Sequence, residues 1–93
     1  MKPFHWNESK NLILKSERKV SFEDVVAAIN DDRLLDTINH PNIKKYAHQK
    51  VYIVRIDDYS YLVPYVEDEE KIFLKTIIPS RKATKKYLKG EKL

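Results

Sequence analysis

Three strand-like runs, Val51 to Ile56, Tyr59 to Val66 and Lys71 to Ile78, follow one another with only Asp57-Asp58 and Glu67-Asp68-Glu69-Glu70 between them. Connections of two and four residues cannot carry a crossover, so adjacent runs must pair antiparallel. The runs are rich in β-branched and aromatic residues, and the acidic connections are turn material. Pro64 lacks an N–H, so the middle run is either bulged there or turns that bond position away from its partner. These loop lengths also set the faces. One carries Arg55, Leu62, Val66, Phe73 and Lys75; the other carries Tyr52, Val54, Ile56, Tyr61, Val63, Ile72, Leu74 and Ile78 and is expected beneath helices. One residue more in either loop would invert the assignment. On this register Arg55 and Lys75 are expected as neighbours on an open sheet surface, either as part of a positive nucleic-acid site or as ordinary solvent-facing strand residues.

Upstream, Asn7 is placed to cap a helix from about Glu8 to Arg18. Its apolar residues Leu12, Ile13 and Leu14 are consecutive, so only part of them can face a core. Ser21-Phe22-Glu23-Asp24 reads as a capping box, and Phe22, Val25, Val26 and Ile29 give the stripe of a second helix ending near Asn30-Asp31-Asp32. Leu34 to Ile38 reads as a short strand closed by the turn signal Asn39-His40-Pro41-Asn42, and Pro41 to Gln49 as a polar loop. After the third run, Ser80 is an N-cap before Arg81, and Gly90 a C-terminal stop. The order α-α-β-β-β-β-α predicts one α+β domain over 1–93, with two N-terminal helices, an antiparallel sheet of about four strands and a C-terminal basic helix.

Ninety-three residues with 42% hydrophobic content and ten aromatic side chains suffice for one small core, and a second catalytic domain is not expected. A single Gly rules out a P-loop or a dinucleotide fingerprint. The absence of Cys removes disulfides, thiolate zinc sites and cysteine nucleophiles, and suits a reducing compartment. There is no H-E-x-x-H and no useful carboxylate cluster, so neither a metal nor another cofactor is expected; the run Glu67 to Glu70 lacks the glycine and ligand alternation of a calcium loop. The opening letters carry no apolar signal-peptide core, and no apolar run approaches about 18 residues. A cytoplasmic protein without membrane contact is the expectation.

Charge is unevenly placed. From Pro79 onward there are six Lys or Arg and one acid, whereas the preceding residues hold twelve bases and thirteen acids, so the net charge of +4 arises in the tail. A basic segment leaving an apolar strand suits a polyanion, since each phosphate neutralised releases condensed counterions. A solvated terminal helix is the alternative reading.

Three stretches, in register, resemble one family. Ile77-Ile78-Pro79-Ser80-Arg81-Lys82-Ala83-Thr84 resembles the I-I-S-A-R-K-A-T signature of BrnT-type toxins of bacterial type II toxin-antitoxin modules. Phe4-His5-Trp6-Asn7-Glu8 with Lys10-Asn11 is similar to that family's opening F-x-W-D-x-x-K-N, and Ser21-Phe22-Glu23-Asp24 to its S-F-E-E/D. The resemblance implies a fold similar to the RelE-type ribonucleases, with helices on one side of a curved antiparallel sheet. It also implies RNA cleavage and neutralisation by a ribbon-helix-helix antitoxin in a hetero-oligomer. The chain departs from the family at two places: Glu17-Arg18-Lys19-Val20 lacks the histidine and glycine frequent in R-K-H-G-V, and Lys85-Lys86-Tyr87 replaces an acidic residue before a Tyr.

Metal-independent RNA cleavage needs a base for the ribose 2′-OH, an acid for the leaving 5′-oxygen and positive charge on the phosphorane-like transition state. Arg81 is the first candidate, because its planar fork matches a phosphate and Ser80 places it on a helix N-terminal turn. Lys82 shares that turn, Lys75 and Arg55 are candidate cations from the sheet, and Lys85 and Lys86 are general phosphate contacts. For proton transfer the candidates are Tyr87 and His48, with Tyr65 and Glu67 as alternatives; His5 reads as structural, and His40 abuts the turn residue Pro41. Two functions follow, an endoribonuclease toxin held by an antitoxin, or a degenerate, non-catalytic module that binds nucleic acid or antitoxin.

Overall fold

The computed structural model describes residues 2–42 and 44–89. Helix α1 spans Glu8–Arg18 and α2 spans Phe22–Asn30. Both begin where the sequence offers a cap. Asn7 Oδ1 accepts from the Lys10 N–H at 2.9 Å. The Ser21 hydroxyl accepts from the Asp24 N–H at 3.1 Å while the Asp24 carboxylate accepts from the Ser21 N–H at 2.9 Å, a complete capping box. The consecutive apolar triplet of α1 divides as its spacing requires: Leu14 is buried, whereas Leu12 and Ile13 are exposed.

Six strands form one mixed sheet among the described residues: β1 Phe4–His5, β2 Leu34–Asn39, β3 Lys50–Ile56, β4 Tyr59–Glu67, β5 Ile72–Leu74 and β6 Ile78–Pro79. The order is β1-β5-β4-β3-β2, with β6 also on β4. The expected antiparallel meander is present. To it is added β1, which runs parallel to β5. Asp57 takes a left-handed φ of 56°, which aspartate tolerates, and the two-residue turn fixes Lys50 opposite Tyr65 and Arg55 opposite Ser60.

The third run is not one continuous strand. Tyr65 pairs with Leu74, but Leu62 pairs with Ile78, so one extra residue lies between β5 and β6. Lys75 still donates its N–H to the Pro64 carbonyl at 2.8 Å. With no N–H at Pro64 to return that bond, the ladder opens over 75–77. The bulge reverses the parity of the strand, so that Ile77 is fully buried and Ile78, expected in the core, is 40% exposed.

One sheet face packs against α1 and α2. Its core comprises Leu14, Val20, Phe22, Val25 and Ala28 with Tyr52, Val54, Ile56, Val63, Tyr65, Ile72, Leu74 and Ile77. Each large apolar side chain buried there contributes roughly 1.5–3 kcal/mol. The opposite face, expected open, is partly covered. The C-terminal helix, α3 at Arg81–Ala83 continuing as a π-helical turn at Thr84–Leu88, docks there, and Val51 and Ile53 are buried on that side. Helices therefore lie on both sides of the sheet, not on one. The proposed stop at Gly90 lies outside the described residues.

Candidate nucleic-acid interface

The segment Ser80 to Thr84 divides its side chains between two tasks. Ser80 caps the C-terminal helix, its hydroxyl accepting from the Ala83 N–H at 3.0 Å. The Ser80 N–H donates to the Ser60 carbonyl at 3.0 Å. Thr84 Oγ1 in turn accepts from the Ser60 N–H at 2.9 Å and donates to the Ser80 carbonyl at 2.8 Å. Ala83 and Thr84 are buried against the sheet, whereas Arg81 and Lys82 are exposed on the same turn. The alternation is a consequence of helical periodicity: positions that fix the helix to β4 leave the two cations facing solvent. Neither cation takes part in an ion pair among the described residues.

The other proposed cations are dispersed around this turn. Lys86 is exposed, its Nζ 5.2 Å from the centre of the Tyr87 ring, and Lys85 is half-buried. Lys75 is exposed with its Nζ 5.6 Å from the Phe73 ring, and Arg55 is exposed on β3. Arg55 and Lys75 share a face, as the loop lengths require. They are not neighbours, however, because Arg55 is level with Ser60 and Lys75 with Pro64. Four residues along the strand and two strand spacings separate them by roughly 17 Å.

No family model, curated protein or solved structure matches this chain. What its groups can do is set by their own surroundings. Tyr87 donates its phenol proton to Asp36 Oδ2 at 2.6 Å, across β3 from the helix to the edge strand β2. That bond raises the Tyr87 pKa, and it lowers that of Asp36, whose other oxygen accepts from the Thr37 N–H at 2.8 Å. The phenol is thus engaged in anchoring the helix. His40 accepts from the Asn42 N–H at 3.1 Å and lies 4.3 Å from the Tyr46 ring, consistent with a structural place in its turn. In the acidic connection, Asp68 accepts from the Glu70 and Lys71 N–H groups, both at 2.8 Å, and its carboxyl is held down to about 2 by those bonds.

His48 lies elsewhere. It lines a pocket of about 190 Å³ with Lys50, Tyr65 and Glu67, at the end of the β3–β4 ladder remote from the Asp57 turn. Tyr65 is buried and stacked on Tyr52 at 3.9 Å with the rings 9° from parallel. Burial raises the pKa of both phenols. Glu67 Oε2 accepts from Lys2 Nζ at 2.8 Å. The four catalytic candidates Arg81, Lys75, Tyr87 and His48 are therefore not assembled in one cluster. Arg81 and Lys82 form one exposed cationic turn, Tyr87 is a tether, and His48 belongs to a second, polar pocket with Tyr65 and Glu67. Lys50 was not anticipated there, although the two-residue turn already places it opposite Tyr65. Among the described residues no group of three or more His, Cys, Asp or Glu is arranged to hold a metal ion, and no helix is long and apolar enough to cross a membrane.

Proposed function

We propose that this protein is a toxin of the BrnT kind, a metal-independent cytoplasmic endoribonuclease neutralised by a ribbon-helix-helix antitoxin. The observation that carries this reading is the turn at Ser80–Thr84: Ser80, Ala83 and Thr84 are used for docking, and Arg81 and Lys82 are presented outward from a capped, rigidly seated helix. The same letters carry the strongest part of the family resemblance. A guanidinium and an ammonium on one turn can hold successive phosphates, with Lys85, Lys86, Arg55 and Lys75 extending the positive surface. An acidic antitoxin segment lying over this surface would block RNA and be steered by the same field.

The deciding measurement is cleavage of RNA by the purified, antitoxin-free protein in the presence of EDTA. Cleavage is expected, and Arg81→Ala is expected to weaken RNA binding and cleavage without loss of the folded circular dichroism spectrum. A second reading, a non-catalytic module that binds nucleic acid or antitoxin, is favoured by the engagement of the Tyr87 proton with Asp36. Tight, salt-sensitive RNA binding without any cut product would establish it in place of the first.

A further inference from the structure

We infer that the pocket formed by His48, Lys50, Tyr65 and Glu67 is where the RNA phosphodiester is broken, with Glu67 and His48 as the proton-transfer pair. This assignment rests on the endoribonuclease reading, and it separates RNA holding at Arg81 and Lys82 from the chemistry. The four residues converge from two directions. His48 precedes β3 and Lys50 begins it, while Tyr65 and Glu67 lie two residues apart at the end of β4, on the same side of that strand. The ladder sets Lys50 directly opposite Tyr65, which puts their Cβ atoms about 5 Å apart.

Their chemistry is complementary. A carboxylate, an imidazole, an ammonium and a phenol are what a phosphodiester transesterification uses when no metal is present. Lys2 holds one oxygen of Glu67, which orients the carboxylate and leaves its second oxygen to accept a proton. Tyr65, fixed by its stack on Tyr52, forms one wall of the pocket, and burial raises the pKa of its phenol so that it stays protonated. A volume of about 190 Å³ is below the range of roughly 300–1,000 Å³ usual for whole small-molecule ligands, but it admits one phosphodiester with its adjoining ribose oxygens.

In the step assigned to this pocket, Glu67 accepts the proton of the ribose 2′-OH as the 2′-oxygen forms a bond to phosphorus. The bond from phosphorus to the 5′-oxygen breaks, and His48 as imidazolium gives its proton to that leaving oxygen. Lys50 faces the non-bridging oxygens, where negative charge accumulates. The products are a 2′,3′-cyclic phosphate and a 5′-hydroxyl, and nothing is oxidised or reduced.

The test compares wild type, His48→Ala and Glu67→Gln on mixed-sequence single-stranded RNA and on ribosome-bound RNA, in EDTA, with RNA affinity and circular dichroism measured alongside. Both substitutions are at exposed positions. Each is expected to slow cleavage by about 10²–10⁴-fold at unchanged affinity, and added imidazole to restore part of the activity of His48→Ala. The wild type should leave cyclic phosphate ends. Should the wild type cut while both variants cut at its rate, the pocket assignment is overturned and the endoribonuclease reading stands. Should the wild type cut neither RNA, both fall together.

Discussion

The phenol of Tyr87 donates to Asp36 across a sequence separation of 51 residues, so the C-terminal helix is fixed at both ends: Thr84 to Ser60 on β4, and Tyr87 to Asp36 on β2. The bond links helix docking to pH. Asp36 has a lowered pKa, so its contribution is complete above the ordinary aspartate value of 3.8 and is lost as the pH falls below it. Tyr87 has a raised pKa, so its contribution is complete below 10.0 and is lost as the pH rises beyond it. The protection of the amides of residues 84–88, taken relative to their intrinsic exchange rates at each pH, should therefore be greatest between those limits. Tyr87→Phe should accelerate their exchange several-fold at neutral pH while α1 and α2 keep their protection. Equal acceleration in all three helices would show that the bond supports the whole fold instead.

Asn11 joins the two N-terminal helices. It is fully buried; its Oδ1 accepts from the Phe22 N–H at 2.8 Å and its Nδ2 donates to Glu23 Oε1 at 2.7 Å. Asn11→Ala leaves the first N–H of α2 buried without a partner, a loss of about 2–3 kcal/mol. For a domain of this size the melting temperature should fall by roughly 8–20 °C. The stack of Trp6 on Phe22, at 5.7 Å, gives the unfolding transition a fluorescence signal.

Much of this architecture was legible because it is encoded locally. Ser21 and Asp24 announce a capping box within four residues, and the turn at Asp57-Asp58 fixes a register that assigns Tyr52, Val54, Tyr61 and Val63 to the helix side. What was not legible depends on contacts distant in sequence. Ile77 and Ile78 have the same letter, and which of them is buried is set by the bulge opposite Pro64, which lacks the N–H to continue the ladder. The strand Phe4–His5 is too short to leave a periodicity and exists through its pairing with Ile72 and Phe73. The site was legible in the same proportion. Arg81 and Lys82 stand out as letters, whereas the convergence of His48 and Lys50 with Glu67 is a property of the ladder.

The bulge that buries Ile77 is held from the other side of the molecule. Arg18, in the last turn of α1, donates from its guanidinium to the Ile77 carbonyl at 2.6 Å, three residues before the Ser80 cap. Arg18→Ala should cost about 1 kcal/mol, since the bond is charge-assisted but partly exposed. It should also lower RNA affinity, because Ser80 and Arg81 are seated by the same segment, while Arg18→Lys restores only part. Loss of stability with unchanged affinity would disconnect the bulge from the cationic turn.

Salt dependence tests the cationic surface directly. Neutralising one phosphate contact in single-stranded RNA lowers the slope of log affinity against log salt by about 0.7. Arg81→Ala and Lys82→Ala should each show that decrement, and together roughly twice it, with affinity falling alike for all sequences. His48→Ala should leave the slope unchanged. A slope insensitive to residues 81 and 82 would place the RNA on another surface.

Lys19 closes α1 in the left-handed conformation, with φ 57° and ψ 30°, at the position where helices most often use glycine. A side chain with a Cβ is strained there by about 1–2 kcal/mol, while glycine carries an entropic penalty that recovers part of the difference. The net effect of Lys19→Gly should be a gain of about 0.5–1 kcal/mol, raising the melting temperature by roughly 2–8 °C. Lys19 is exposed, so no packing is lost in the exchange. Lys19→Val should act in the opposite direction, since a β-branched residue tolerates positive φ least. If glycine destabilised the protein, the lysine side chain would have to contribute an interaction that outweighs the strain, and denaturation of Lys19→Met would then separate its alkyl chain from its charge.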